Sequence, residues 1–331
     1  MTNCTKTVRA LGLCSGGLDS ILSALVLREQ GIEVEWISFE TPFFSAVKAR
    51  QAARQTGIPL TVQNITTLYL DMLKNPRCGY GQHMNPCMDC HALMFRLASE
   101  RLGNSGFDFL FSGEVLGQRP MSQTRQSLRY VEKHSGVDGY ILRPLSALRL
   151  PETVPEKNGW VDRSRLLDLY GRSRKPQIEL ANRYNVTNYP APAGGCLLTD
   201  ANYTRRLKDY FSHQDGWSEA ELNLLKHGRH LRLDPTAKLV VGRSQAENEA
   251  LLDLVPVGGF QVLRVLRYPG PIGIFSGNPT EHLIRQAAEI CAAYTKAPDG
   301  EWVQVEAAIG VAKVLLEVVP FSRERLAQLI L

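Results

Sequence analysis

Residues 8–13 run apolar apart from Arg9, two glycines follow at 16 and 17, and from Leu18 to Arg28 apolar side chains recur with the period of a helix. The pattern predicts a strand, a tight turn and a helix in immediate succession. Residues 32–39 alternate as a strand does, residues 45–56 read as a helix stopped by Gly57, and residues 60–65 read as a third strand. Further short strands are expected at 107–111 and 140–145, and helical patterns occupy 162–170 and 176–184. Residues 200–235 are polar and helical in pattern. Strands alternating with helices predict an α/β fold built on a doubly wound parallel sheet, whose ligand site lies at the carboxyl ends of its strands. The turn after the first strand and Phe39 both fall there.

That turn reads Cys14-Ser-Gly-Gly-Leu-Asp-Ser20. Its glycines let the backbone approach a ligand with N–H groups outward, and the helix start adds about half a positive charge, so the turn suits pyrophosphate. It lacks the Gly-Lys-Ser/Thr ending of the commoner phosphate loop and the third glycine of the dinucleotide fingerprint, which disfavours kinase-like and dehydrogenase-like readings. Ser15-Gly-Gly-x-Asp-Ser20 resembles the pyrophosphate loop (PP-loop) of the ATP pyrophosphatases, of adenine nucleotide alpha hydrolase-like fold, which split ATP into an adenylated substrate and pyrophosphate. The resemblance implies ATP and Mg²⁺ as cofactors. Ser15, Gly16, Gly17 and Ser20 would bind pyrophosphate, and Asp19 would help hold Mg²⁺, an ion suited to hard oxygen ligands. An ordinary strand-to-helix turn is the plainer alternative.

Residues 75–86 are polar and rich in Pro and Gly, and they lead to Cys87-Met-Asp-Cys90-His91 at a predicted helix start. There the helix dipole lowers a thiol pKa and the spacing aims both sulfurs the same way, as in a soft-metal half-site or a redox pair. A second Cys-x-x-Cys is missing from the sequence, which disfavours a structural zinc. The strand at 107–111 ends in Ser112-Gly-Glu-Val-Leu-Gly-Gln118, followed by Ser122-Gln-Thr124, small and amide groups placed to receive a nucleotide. Cys196 follows two prolines and two glycines in 189–199, on an irregular loop that leaves its sulfur accessible.

These segments, with the turn and Met94-Phe-Arg-Leu-Ala98, resemble the catalytic domain of the bacterial 4-thiouridine tRNA sulfurtransferases over about residues 5–200. In that family Gly-Glu-x-x-Gly-Gln and Ser-Gln-Thr line the ATP pocket, which carries over to Gly113 and Gln123. One extra residue separates the two motifs here. His91 stands where the family has Arg or Lys, and Cys196 stands at the place of an active-site cysteine. The nucleotide set implied is Cys14, Ser15, Gly16, Gly17, Asp19, Ser20, Phe39, His91, Gly113 and Gln123, with Asp19, Cys87, Cys90 and Cys196 catalytic. The activity implied is thiouridine synthesis in tRNA: ATP adenylates a uracil carbonyl oxygen, sulfur attacks the carbon, and AMP departs. Two routes for sulfur stay open. Cys87, Cys90 and Cys196 would hold three irons of a [4Fe–4S] cluster with the fourth iron open to sulfide, or Cys196 would carry a persulfide that Cys87 or Cys90 resolves. The cluster is favoured because the persulfide needs only two cysteines and three are available, and no rhodanese-like segment is apparent.

A length of 331 residues suits two domains. The expected division is a thiolation domain at 1–200, a helical connector at 201–235 and an α+β domain at 236–331. Gly242-Arg243 with Asn248, Pro269-Gly270 and Ala287-Ala288 with Ala292-Ala293-Tyr294 resemble the RNA-binding domain of NFACT proteins, which implies tRNA as partner; a dimerisation module, hence a homodimer, is the alternative. Seven cysteines argue for thiol or metal chemistry, with Cys4, Cys14 and Cys291 reading as buried or incidental. The net charge of +5 is concentrated: residues 119–183 hold 13 Lys/Arg against 7 Asp/Glu, a bias suited to a polyanion. No apolar run is long enough for a bilayer and no leader pattern opens the chain, so a cytoplasmic protein without a membrane partner is expected. Two other readings are an adenylating enzyme that uses ammonia and a nucleotide-sensing RNA-binding protein without activity.

Overall fold

The computed structural model describes residues 7–103, 105–191, 195–298, 300–310 and 312–331. Two units divide between Thr199 and Asp200. In the first, β1 (Arg9–Leu13), α1 (Leu18–Arg28), β2 (Glu33–Glu40), α2 (Val47–Thr56), β3 (Leu60–Asn64), α3 (Thr66–Lys74), α4 (Cys87–Ser99), β4 (Phe109–Ser112), α5 (Arg125–Ser135), β5 (Ile141–Leu142), α6 (Val154–Lys157) and α7 (Lys175–Arg183) follow in order. The five strands form one sheet of order β3-β2-β1-β4-β5, and every neighbouring pair is parallel.

Strand β1 reads Arg-Ala-Leu-Gly-Leu and is buried on both sides, as a central parallel strand must be. Ala10, Phe109 and Phe111 join Leu18, Ile21 and Leu22 of α1 in one core, while the alternate residues Leu11 and Leu110 are equally buried. Helices α1 and α4 both lie against β1 and β4, so the sheet is covered on both faces. The strand order runs outward in both directions from β1, and the gap between the carboxyl ends of β1 and β4 is the switch point where such sheets take ligands. The turn at 14–17 leaves β1 there, and Gly113 leaves β4 beside it.

Several expected elements change. Residues 162–170 form one 3-10 turn, Arg163–Arg165, and then run extended, because Leu167 and Leu169 donate their N–H groups to Pro144 and Leu145 at 2.9 and 2.8 Å. The strand expected over 140–145 keeps only Ile141–Leu142 before Pro144. Helix α3 has no counterpart among the sequence expectations; it buries Tyr69, Leu70 and Leu73. Residues 200–235 hold two helices and also a strand.

The second unit comprises α8 (Ala201–His213), α9 (Glu219–Leu224), β6 (Arg229–Asp234), β7 (Ala237–Val241), α10 (Gln245–Gly258), β8 (Gln261–Val265), β9 (Ile272–Gly277), α11 (Glu281–Ala293), β10 (Val303–Ile309), β11 (Ala312–Val318) and α12 (Arg323–Leu329). Its antiparallel sheet has the order β11-β10-β8-β9-β7-β6. Leu239 and Val241 pack with α11, and Val240 between them packs with Leu251 of α10, so β7 is buried on both faces. This is the α+β architecture expected after the parallel sheet. Among the described residues no helix is long and apolar enough to cross a membrane.

Phe111 is fully buried in the core that seats β4 against α1. Phe111→Ala should lower unfolding free energy by about 3–5 kcal/mol, measured by urea denaturation at neutral pH.

Candidate nucleotide and thiol site

The turn between β1 and α1 is built from its glycines. Gly16 has φ +74°, and a side chain on it would lie 2.1 Å from the carbonyl carbon of Lys48, so only glycine fits between the turn and α2. Gly17 caps α1 with extended backbone, and Ser20 returns a hydrogen bond from its hydroxyl to the Gly17 carbonyl at 2.8 Å. Gly113 closes the other wall: a Cβ there would lie 2.3 Å from the Asp19 carbonyl carbon. Ser15, Gly16, Gly17, Asp19, Ser20 and Gly113 therefore come together at the switch point. Phe39 is buried at the end of β2, and the buried Cys14 belongs to the core beneath the turn, where burial pushes its thiol up to about 11.

Asp19 has two unlike oxygens. Oδ2 accepts from Gln118 Nε2 at 2.8 Å, whereas Oδ1 is buried with no partner among the described residues. Burial raises the Asp19 pKa, against the Gln118 hydrogen bond and the guanidinium groups of Arg174 and Arg119. Gln118 Oε1 in turn accepts from Gln177 Nε2 at 2.9 Å. Gln123 is buried nearby in sequence, its Oε1 also without a partner. An unpaired carboxylate oxygen facing two arginines fits a divalent cation that arrives with phosphates. Arg174 and Gln177 escaped the sequence reading because Arg174 was counted there as part of a basic stretch and 176–184 as a helix, with no link from either to the turn.

Beside this site Glu114 is buried and fully engaged. Its Oε1 faces His91 Nδ1 at 2.8 Å, and its Oε2 accepts from Arg143 Nε at 2.9 Å and from the Ser112 hydroxyl at 3.1 Å. Burial alone would raise its pKa; the Arg143 charge and the His91 contact outweigh it and bring it down to about 2. His91 is thus tied to a carboxylate through Nδ1.

Cys87 and Cys90 open α4, and Asn85 Nδ2 lies 3.4 Å from Cys87 Sγ. Burial first, and then the charges of Cys90, Cys196 and Cys87, raise the pKa of the Tyr69 phenol, which hydrogen-bonds Cys90, so the three thiols lie in one neighbourhood of α3 and α4. The loop of Cys196 is held there by Leu197, whose N–H donates to the Phe43 carbonyl at 2.9 Å, and the Phe43 ring lies 5.6 Å from Tyr69. Residues 192–194, just before Cys196, lie outside the described residues. The helix-dipole argument for Cys90 fails: burial dominates and raises its pKa, and burial pushes Cys196 up to about 11. Among the described residues no three His, Cys, Asp or Glu side chains surround one metal-ion position. Cys78 is exposed, its N–H donating to Asp89 Oδ2 at 2.9 Å; Cys4 lies outside the described residues.

The two groups are joined through α4. Cys90 is followed by His91, His91 meets Glu114, and Glu114 follows the glycine packed on Asp19.

Comparison with known sequences matches residues 6–154 to the family described as Thiamine biosynthesis protein (ThiI), and residues 228–330 to the NFACT protein RNA binding domain. The chain joins a ThiI-family domain to an NFACT-type RNA-binding domain. Among curated relatives it is 27% identical to the probable tRNA sulfurtransferase of Acholeplasma laidlawii, over 54% of this chain and 43% of that one. It is 25% identical to the tRNA-specific 2-thiouridylase MnmA of Listeria monocytogenes, over 65% of this chain and 59% of that one. The chain spans about half the length of the curated relatives it matches. Among solved structures, NMN synthetase from Francisella tularensis aligns at 15% identity and TM-score 0.33, over 66% of this chain and 83% of that one. The C-terminal part of the fibronectin/fibrinogen-binding protein from Streptococcus suis aligns at 16% identity and TM-score 0.29, over 47% and 77%. Both likenesses are too slight to carry an argument. The turn at 14–20, Cys87, Cys90, His91, Gly113, Glu114, Gln118 and Gln123 all lie inside the ThiI-family match, and Arg174, Gln177 and Cys196 lie beyond it.

The depressed pKa of Glu114 links this network to acid stability. Its contribution, roughly 3 kcal/mol, is present above the unfolded value near 4.5 and is lost as pH falls from there through about 2. Glu114→Gln should be destabilised at pH 7, where it leaves Arg143 buried without its charge, and should then lose less stability than wild type below pH 4.5. Urea midpoints at pH 7, 4.5 and 3 measure both effects.

Proposed function

We propose that the chain is an ATP-dependent tRNA thiouridine synthase, in which residues 1–200 carry out thiolation and residues 236–331 anchor the tRNA. The observation that carries this reading is the turn at 14–17 packed between α2 and Gly113, with Asp19 Oδ1 beside it left unpaired among the described residues, in a stretch that matches the ThiI family. The names of the curated relatives, a tRNA sulfurtransferase and a tRNA 2-thiouridylase, point the same way.

A uracil carbonyl oxygen is a poor leaving group. In the proposed reaction it attacks the α-phosphorus of ATP, the bond to the β-phosphate oxygen breaks, and pyrophosphate leaves. The outward N–H groups of the turn and the start of α1 receive that pyrophosphate, with Arg174 and Arg119 adding positive charge. Asp19 Oδ1 would offer a hard oxygen to Mg²⁺, and the ion would supply charge to neutralise the phosphates. Sulfur then attacks the activated carbon, the carbon–oxygen bond breaks, and AMP carries away the oxygen.

For the sulfur, Cys87, Cys90 and Cys196 lie near enough to influence one another electrostatically, although among the described residues no three of these side chains are gathered as a metal site. Cys87, Cys90 and Cys196 would hold a [4Fe–4S] cluster, which supplies an open iron for sulfide. A persulfide on Cys196, resolved by Cys87 or Cys90 as a disulfide, is the alternative, and the same proximity favours it.

With Mg²⁺ and tRNA the protein should release pyrophosphate and AMP from ATP, and Asp19→Ala should abolish this with the far-ultraviolet circular dichroism unchanged. ADP and phosphate as products would remove the assignment. Protein purified without oxygen should be brown and hold about four irons per chain. Ala at Cys87, Cys90 or Cys196 should each lose the iron, and Ala at Cys14 or Cys291 should keep it. A colourless anaerobic preparation that still thiolates tRNA would leave the persulfide route.

A further inference from the structure

Gln177 stands in the first turn of α7, 1% exposed, at a position where packing alone would be served by an apolar side chain. Its amide is used on one side only. Nε2 donates to Gln118 Oε1 at 2.9 Å, while its own Oε1 is buried with no partner among the described residues. Gln118 passes the contact on, its Nε2 donating to Asp19 Oδ2 at 2.8 Å. The result is a directed chain, amide to amide to carboxylate, that ends with Asp19 Oδ1 free.

Direction is what the chain adds. The two ends of a glutamine amide have nearly the same shape and opposite hydrogen-bonding character. The carboxylate of Asp19, which only accepts, favours the Nε2 end of Gln118, and the opposite sense would set two acceptors against each other. A donor placed against Gln118 Oε1 makes that opposite sense costlier still and holds the amide in register. Gln177 is that donor, and α7 holds it rigidly because the helix packs along α1, the element that carries Asp19.

We propose that Gln177 is a positioning residue for the metal side of the ATP site: it fixes the amide sense of Gln118, Gln118 caps one oxygen of Asp19, and the other oxygen is left aimed for the cation that accompanies ATP. This rests on the reading of Asp19 as an Mg²⁺ ligand given above.

The test uses the full chain, with ATP, without tRNA, and with Mn²⁺ as a paramagnetic stand-in for Mg²⁺. Free Mn²⁺ is followed by electron paramagnetic resonance, which reports binding and not turnover. Gln177→Met keeps the volume and removes the donor; it should weaken Mn²⁺ binding by about 10- to 100-fold, the range seen when a group that orients a metal ligand is removed. Raising Mn²⁺ should restore occupancy, because the ligand itself remains, and ATP binding without metal should stay as in wild type. A structural role would instead lower the melting temperature and leave Mn²⁺ affinity in the folded protein unchanged. Gln118→Met breaks the same chain from the other side and should give the same loss, so the inference stays testable if Gln177→Met does not fold. Asp19→Asn separates the failures. If Asp19→Asn loses Mn²⁺ and both glutamine variants keep wild-type affinity, the relay is overturned alone; if Asp19→Asn also keeps it, the metal reading of Asp19 falls and takes the relay with it.

Discussion

Glu114 is a buried carboxylate that must stay ionised, and the first unit is arranged to let it. A charge taken out of water costs several kcal/mol unless it is paired and its remaining lone pairs are met. Here the charge is met by Arg143, itself 2% exposed and shared with Glu132 of α5, and the lone pairs by His91 of α4 and Ser112 of β4. Strand β4, helices α4 and α5 and the segment after β5 are therefore fixed to one point. Helix α4 brings Cys87 and Cys90 with it, and the loop after β4 brings Gly113 onto Asp19. The ionised group thus ties the helix that carries Cys87 and Cys90 to the loop that closes on the nucleotide turn.

The turn shows the complementary device, a polar group left deliberately short of partners. Most buried polar atoms in folded proteins are hydrogen-bonded, and each exception asks for a reason, a ligand among them. Asp19 Oδ1, beside the turn, and Gln123 Oε1, on the segment after β4, are such atoms, as are others away from the site, Trp36 Nε1 and His230 Nδ1 among them. Close backbone approach at Gly16 and Gly113 keeps the space around Asp19 narrow without filling it with side chain.

Much of this was legible in the sequence because short-range pattern encodes it. The turn and α1 follow from two glycines and an apolar helix face, and β2 from an alternation that only Trp36-Ile37 interrupts. The parallel order followed from strands alternating with helices. What local pattern does not encode is pairing at long range. Residues 162–170 carry leucines at helical spacing, yet the carbonyls of Pro144 and Leu145 take their N–H groups and draw the chain out straight. Tyr69 lies on a helix that begins with two threonines and escaped notice, so its hydrogen bond to Cys90 was invisible. Gln177 acts on Asp19 through Gln118, and nothing in the spacing of three such distant residues announces it.

The basic stretch carries the same lesson for charge. Counted along the chain, residues 119–183 read as a footprint for a polyanion. In the fold, Arg143 is buried against Glu114 and Glu132, Arg163 pairs with Glu156, Arg129 with Asp138, Arg149 with Asp168, and Arg183 with Glu29. These cations hold loops together, and a cation already paired adds little to a long-range field. Arg119 and Arg174 act instead on Asp19, at the phosphate end of the site. Arg125, Lys133, Lys157, Arg165, Arg172 and Lys175 stand outside these pairs and carry the excess that remains, and a count along the sequence cannot separate the three groups, because only the fold decides which carboxylate each cation meets.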